Sequence, residues 1–210
     1  MGSKNQTSGE QAAAIMKQKA FIKAELDRQL SQAESDRIWM KATKKLESYL
    51  TRYADLPKGV HSHTDSMIFP SAAIYLTAKE TLSAEQAYSV IENAAAAKTN
   101  DIGKKLAKIM KIPGFAGFFI KMWDPVSKKQ FGAACGFKNV FYPKKKGEYR
   151  MDILACPYQT YFSELGCPEL TKIFCDNDLR TYGNLPGLQF IRTSTLGTGG
   201  ERCDFYIKKV

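Results

Sequence analysis

The sequence predicts an α+β fold, with a helical N-terminal half packed on an antiparallel sheet formed mainly by the C-terminal half. Three observations predict it. In the first half, apolar residues recur at helical spacing among strong helix formers. From Phe131 onward they alternate and are rich in aromatic and β-branched types. Proline and glycine fall where helix starts, helix ends and hairpin turns need them. The chain has 210 residues, 44% of them hydrophobic, enough to bury a core. Residues 10–210 are expected as one α+β domain: 10–125 mainly helical, 126–210 sheet plus two helices carrying the candidate site. Residues 1–9 read as a disordered lead-in or a cloning remnant, since they lack the apolar core of a signal peptide.

Each element has its own warrant. Glu10 to Leu30 is rich in Ala, Gln and Lys and predicts a helix. Ile38, Met40, Ala42, Leu46, Tyr49, Leu50 and Tyr53 make the imperfect apolar face of a second helix, which Leu56-Pro-Lys-Gly59 stops. His61 and His63 are expected in a polar loop, because a His-x-His pair alone is a poor metal signal. Pro70 suits the first turn of the next helix. Ser83 and Gln86 read as a capping box opening a helix through Ala97. A separate helix is expected from Asp101 to Lys111, halted by Pro113-Gly114.

The sheet follows. Cys135–Tyr142 and Tyr149–Ala155 form a hairpin candidate around Pro143-Lys-Lys-Lys-Gly147. Pro157 starts a helix through Leu165 that Gly166 closes, and Pro168 starts another through about Leu179. Leu188–Thr193 and Cys203–Lys208 complete a sheet of about four strands.

Bulk properties exclude several classes. The longest apolar run, Ile112–Ile120, is far shorter than the roughly 20 residues a membrane span needs. The net charge is +10, with 16 basic and 12 acidic residues up to position 110 and 15 and 9 beyond it. Read this way the excess is spread out, and Lys144-Lys-Lys146 is a solvated turn. No nucleic-acid motif accompanies it, so neither nucleic acid nor membrane is expected as a partner. Cys135, Cys156, Cys167, Cys175 and Cys203 are odd in number and form no CxxC pair, so reduced thiols and a cytoplasmic location are expected. Each thiol taken singly is by default a small buried hydrophobe.

Three clusters could carry chemistry. Phe174-Cys-Asp-Asn-Asp178 lies late in a helix. Cys175 and Asp178, three apart, share a face, and Asp176 points elsewhere. A thiol beside a carboxylate can act as nucleophile and base, or the segment is a fraying helix end around a buried cysteine. Arg192-Thr-Ser-Thr195 lies at a strand end, where alternation sets Arg192 and Ser194 opposite Thr193 and Thr195. Arg192 needs an anionic ligand or an acidic partner: Asp176, Asp178 or Asp204. Gly197-Thr-Gly-Gly200 either brings backbone N–H groups to an anion or makes a hairpin turn.

These segments resemble a known family when taken together. They are Cys156-Pro, Glu164-Leu-Gly-Cys-Pro-Glu-Leu170, Phe174-Cys-Asp-Asn-Asp178, Tyr182, Leu185-Pro, Phe190-Ile-Arg-Thr-Ser-Thr-Leu196 and Gly200-Glu-Arg-Cys-Asp-Phe205. The family is that of L-2-amino-thiazoline-4-carboxylic acid hydrolases. The resemblance implies hydrolysis at a C–N bond of a small cyclic amidine, giving a carbamoyl-cysteine on the way to L-cysteine. It implies no cofactor and no metal. Under it, Cys175 is the nucleophile or lines the pocket, with Asp178 or Asp176 moving a proton. Arg192 holds the carboxylate of a small anionic substrate, and Thr193, Thr195, Gly199, Gly200, Cys203 and Asp204 complete the lining. A homo-oligomer is compatible with this reading. The closing strand also resembles small-molecule-binding domains of the vinyl-reductase-associated type, so a non-catalytic sensor domain is the alternative. A metal site from Cys175, Asp176, Asp178 and Cys203 ranks low, as mixed thiolate and carboxylate ligation without His is atypical.

Overall fold

The computed structural model describes residues 6–210. It is α+β, with helices concentrated in the N-terminal part and a four-stranded antiparallel sheet at the C-terminus. The chain forms two compact units: Met1–Leu56 with His61–Ala95, and Pro57–Val60 with Ala96–Val210.

The first unit is helical. Helices α1 (Ser8–Gln18), α2 (Ala20–Gln29) and α3 (Gln32–Arg52) follow one another, and α1 packs on α3. Of the stretch expected as a lead-in over residues 1–9, Ser8 and Gly9 belong to α1. Thr7 caps α1 in a reciprocal box, accepting from the Glu10 N–H while Glu10 accepts from the Thr7 N–H. Residues 1–5 lie outside the described residues. The single helix expected from Glu10 to Leu30 breaks at Lys19, the shared cap of α1 and α2.

His61 and His63, expected in a loop, lie in helix α4 (Lys58–His63), which continues into a π-helical turn over Thr64–Ile68. Asp65, one turn on, takes the Nδ1 edge of His61 at 3.1 Å. Helix α5 (Phe69–Ala78) carries Pro70 in its first turn, as predicted. It is buried on nearly all sides and packs on α3.

The Ser83–Gln86 capping box is present. It opens one helix, α6 (Ala84–Met110), where the sequence suggested two. The polar stretch Lys98-Thr-Asn-Asp101 contains no proline, and nothing in it forces a break.

The second unit holds the rest of α6, helix α7 (Phe115–Gln130), the sheet and two more helices. Strands β1 (Lys138–Phe141), β2 (Glu148–Ala155), β3 (Leu188–Ile191) and β4 (Cys203–Lys209) pair in the order β1-β2-β4-β3. Helix α8 (Pro157–Glu164) begins on Pro157. Gly166 follows it with φ of 77°, a conformation that favours glycine. Helix α9 (Leu170–Tyr182) follows. The core joins Phe119 and Ile120 of α7 to Tyr149, Met151 and Ile153 of β2 and to Cys203 and Ile207 of β4.

Candidate functional site

Three strands bring their ends to one end of the sheet. β2 runs out into Cys156, β4 starts at Cys203 opposite Ile153, and β3 ends at Ile191 opposite Tyr206, one residue before Arg192. The loop after β3 turns through a 3₁₀ segment, Leu196–Thr198, which lies against α9. All of these residues belong to the second unit.

Cys175 projects from α9 into this corner and is half-buried. The Cys203 thiol, the Thr195 hydroxyl and the Gly197 N–H all donate toward its sulfur, and Arg192 adds a positive charge. Together they outweigh desolvation and pull the Cys175 pKa down to about 6. Cys203 shifts the other way, because it supplies the proton in the sulfur–sulfur hydrogen bond and is itself buried. The Leu196 N–H donates to the Cys203 sulfur at 3.2 Å, fixing that donor in turn. Position 197 must be glycine-like for steric reasons. A Cβ there would stand 2.8 Å from the Cys175 sulfur and 3.1 Å from the Lys172 backbone nitrogen.

Asp178 sits one turn along the same face of α9, as the three-residue spacing predicts. Its partner is Arg192, whose Nη1 donates to Asp178 Oδ2 at 3.2 Å and to the Cys175 carbonyl at 2.6 Å. Arg192 is 3% exposed and Asp178 32%. The packed surroundings of the carboxyl raise the Asp178 pKa to about 7. The nearby Cys175 and Asp176 charges add to this, and Arg192 opposes it. Thiol and carboxyl thus titrate in neighbouring ranges, with the ordinary order of cysteine and aspartate inverted.

The alternation assumed for Arg192 to Thr195 does not hold. β3 ends at Ile191, so beyond it no pleat sets the faces. Arg192 and Thr195 both turn inward, and Thr193 is exposed.

Asp176 points away from the thiols and pairs with Lys172 one turn earlier. Asp204 serves the loop. It accepts from the Thr193 N–H at 2.9 Å, the Thr193 hydroxyl at 2.7 Å and the Ser194 N–H at 2.6 Å. Burial works against its ionised form, but these donors prevail and its pKa is lowered. Gly199, with φ of 83°, closes the 3₁₀ turn. At Gly200 a Cβ would meet the Ser194 hydroxyl at 2.1 Å and the Thr195 carbonyl at 2.9 Å. Thr193, Asp204, Gly199 and Gly200 therefore shape the loop that presents Thr195 and Gly197.

Sequence reasoning gave no site role to Cys156, Tyr158 or Tyr182, although Cys156 and Tyr182 stand among the motifs of the resemblance. Cys156 caps α8, and burial pushes its thiol up to about 12, with charge on Cys175 and Asp178 adding to the effect. The Tyr158 and Tyr182 hydroxyls are raised by burial and feel the Asp178 charge. The one available signal was the Cys156-Pro pair at a strand-to-helix junction, which fixes that thiol at the same sheet end as Cys203. Among the described residues, no group of three or more His, Cys, Asp and Glu side chains is placed to hold a metal. A separate cleft of about 400 Å³ lies between α7 and the β1–β2 hairpin, and none of the thiols lines it.

No curated protein and no solved structure matches the chain. A family model does, over residues 61–207, and that span includes every residue of the thiol corner. The chain belongs to the L-2-amino-thiazoline-4-carboxylic acid hydrolase family.

Proposed function

We propose that the protein opens a small cyclic amidine by hydrolysis, with L-2-amino-thiazoline-4-carboxylate as the substrate and a carbamoyl-cysteine as the product. The observation that carries this reading is the juxtaposition on α9 of a thiol held toward its ionised form and a carboxyl held toward its neutral form. A nucleophile and a proton donor in those states suit addition to an electron-poor ring carbon.

The Cys175 thiolate adds to the carbon between ring sulfur and ring nitrogen. The π pair of the ring C=N bond moves to the ring nitrogen, which takes the Asp178 proton. The lone pair of the exocyclic nitrogen then forms a C=N bond as the ring C–N bond breaks, and a proton passes from the exocyclic to the departing nitrogen. Water then attacks the same carbon, assisted by ionised Asp178, and Cys175 leaves as thiolate. The Cys203 thiol and the Thr195 hydroxyl stabilise that thiolate before attack and after release. Arg192 holds the Asp178 carboxyl and the Cys175 carbonyl in one arrangement, and its charge favours an anionic substrate. Thr193, Asp204, Gly199 and Gly200 keep the loop in shape around the substrate. The reaction stands on the route to L-cysteine in the cytoplasm.

The test is incubation of the full chain with L-2-amino-thiazoline-4-carboxylate and a panel of cyclic amidines, with the product read by mass. Carbamoyl product that disappears in Cys175→Ser supports the covalent route. Retained turnover in that variant removes the covalent step. Tight binding of a ring compound without turnover in the unaltered protein favours the sensor reading.

A further inference from the structure

The net charge of +10 has a definite location. Between Ile102 and Lys146 the sequence has eleven lysines and one acidic residue, Asp124. Of the chain's 31 basic and 21 acidic residues, this leaves twenty of each for all the rest. A count by halves hides the concentration, because the stretch straddles the dividing point.

All eleven lysines are exposed. Among the described residues, acidic partners reach three of them: Asp101 pairs with Lys105, and Asp124 with Lys128 and Lys144. Asp124 also ties the hairpin to α7. The cleft between them is lined by six cationic residues, Lys121, Lys144, Lys145, Lys146, Arg150 and Lys209, against two carboxylates, Asp124 and Glu148, over an apolar floor that includes Ile120 and Tyr149. The lysine run expected as a solvated turn is thus one wall of a basic cleft.

Large apolar side chains are exposed in the same stretch. Phe118 is 56% exposed and Met122 38%, and with Lys121 they occupy one face of α7 at spacings of three and four. Ile102 and Ile109, also exposed, share a face of α6 with Lys105, and exposed Ile112 follows in the turn between the helices. Exposed apolar groups interleaved with lysines suit a surface that is anionic on the outside and apolar just beneath. A nucleic-acid backbone would use the lysines and leave Phe118, Met122 and Ile112 in water.

We propose that this face of the second unit, the exposed stripe of α7 with the hairpin lysines beside it, docks on an anionic lipid surface. Phe118 and Met122 enter the boundary between headgroups and acyl chains, and the lysines meet the headgroup phosphates and carboxylates. The protein lies on the bilayer: among the described residues no helix is long and apolar enough to cross it. This inference does not rest on the hydrolase reading.

The experiment is co-sedimentation of the full chain with vesicles of phosphatidylcholine alone or with about a third phosphatidylserine. Binding is expected to the anionic vesicles only, weakening as salt is raised. Lys144→Ala with Lys145→Ala and Lys146→Ala should weaken it by on the order of a hundredfold, since each lysine near such a surface is worth roughly fivefold. Phe118→Ser with Met122→Ser should weaken it about tenfold while keeping the preference for anionic lipid. Lys17→Ala, Lys44→Ala and Lys58→Ala together should leave it unchanged, and circular dichroism should report the same fold for every variant. Equal binding to both vesicle types would overturn the proposal. So would an anionic preference indifferent to both sets of changes in the proposed face. Salt-sensitive binding to nucleic acid without vesicle binding, or self-association abolished by the Phe118 and Met122 changes without vesicle binding, would also overturn it.

Discussion

Glu25 in the first unit and Asp178 in the second each have an arginine partner, yet their carboxyl groups shift in opposite directions. Arg28 grips Glu25 with two nitrogens, at 2.9 and 2.6 Å, and Gln29 and Asn93 donate as well. Those donors, Arg28 first, hold Glu25 down at about 2. Arg192 reaches Asp178 with Nη1 at 3.2 Å and gives its shorter bond to a backbone carbonyl. Protein atoms packed around Asp178 and the charge of Cys175 then win, and its pKa rises to about 7. The contrast shows that the existence of an ion pair does not set the state of a carboxylate. The packing around it, the number of donors and the other charges nearby decide it. The first arrangement fixes a surface, while the second keeps a proton available near neutrality.

The largest expected effect of breaking this contrast is at the thiol. Cys175→Ala should lower turnover of the aminothiazoline by about a thousandfold or more, as for loss of a nucleophile. Cys135→Ala, a buried thiol of the same unit whose sulfur donates only to the Lys129 carbonyl, should lower stability and leave turnover intact. Steady-state kinetics and thermal melts on the two variants check this. Equal losses of activity would mean that the sensitivity of the site is a matter of folding.

Arg192→Met comes next. It removes the charge opposing neutral Asp178 and a short bond to the Cys175 carbonyl, both inside the protein. Losing the buried guanidinium and leaving the Cys175 carbonyl without its short bond should cost about 1–3 kcal/mol, read as a fall in the denaturation midpoint. Arg28→Met in the first unit should move the midpoint less than Arg192→Met does, since Arg28 itself is exposed and Gln29 and Asn93 still donate to Glu25. A large fall for Arg28 would show that the Glu25 pair is more than a surface feature.

The pH profile sharpens the comparison within the site. Activity needs Cys175 ionised, so it rises with pH through about 6, and it needs Asp178 protonated, so it falls through about 7. A narrow bell between the two is expected. Cys203→Ala removes the leading donor to the thiolate, moving the acid limb toward the ordinary thiol range and lowering the maximum by about tenfold. Titration of the thiolate by its ultraviolet absorbance tracks the same limb without substrate. A limb that stays in place in Cys203→Ala would show that Thr195, Gly197 and Arg192 suffice.

The elements were legible in the sequence wherever a local cause sets them. The Ser83–Gln86 box, Pro70, Pro157 and Gly166 each act through their own backbone, and the helix or turn follows. The site was partly legible, for Cys175 and Asp178 meet by helical spacing alone. The contacts made by two further thiols were not. The Cys203 thiol reaches Cys175 only because β4 pairs with β2 in the register that sets Cys203 opposite Ile153. Cys156 arrives at the same corner through the opposite strand, and a one-residue slip of either would turn its thiol away. Arg192 and Thr195 were legible as site residues, but their shared inward facing was not, since alternation ends with the strand at Ile191. The charge concentration was legible throughout, and only the place of division concealed it.

The smallest expected effect lies in the first unit, at a cap. Ser31 opens α3 by accepting from the Glu34 N–H, and Glu34 accepts from the Ser31 N–H in return. Ser31→Ala leaves the Glu34 N–H without that acceptor and should cost about 1 kcal/mol in urea denaturation. Turnover, substrate affinity and both limbs of the pH profile should stay where they are, because neither Ser31 nor Glu34 contributes to the field around Cys175 or Asp178. A shifted limb in this variant would mean that the geometry of α3 governs the thiol and carboxyl at a distance. The opposition between surface pairs that fix a helix and inward groups that hold a proton would then have to be abandoned.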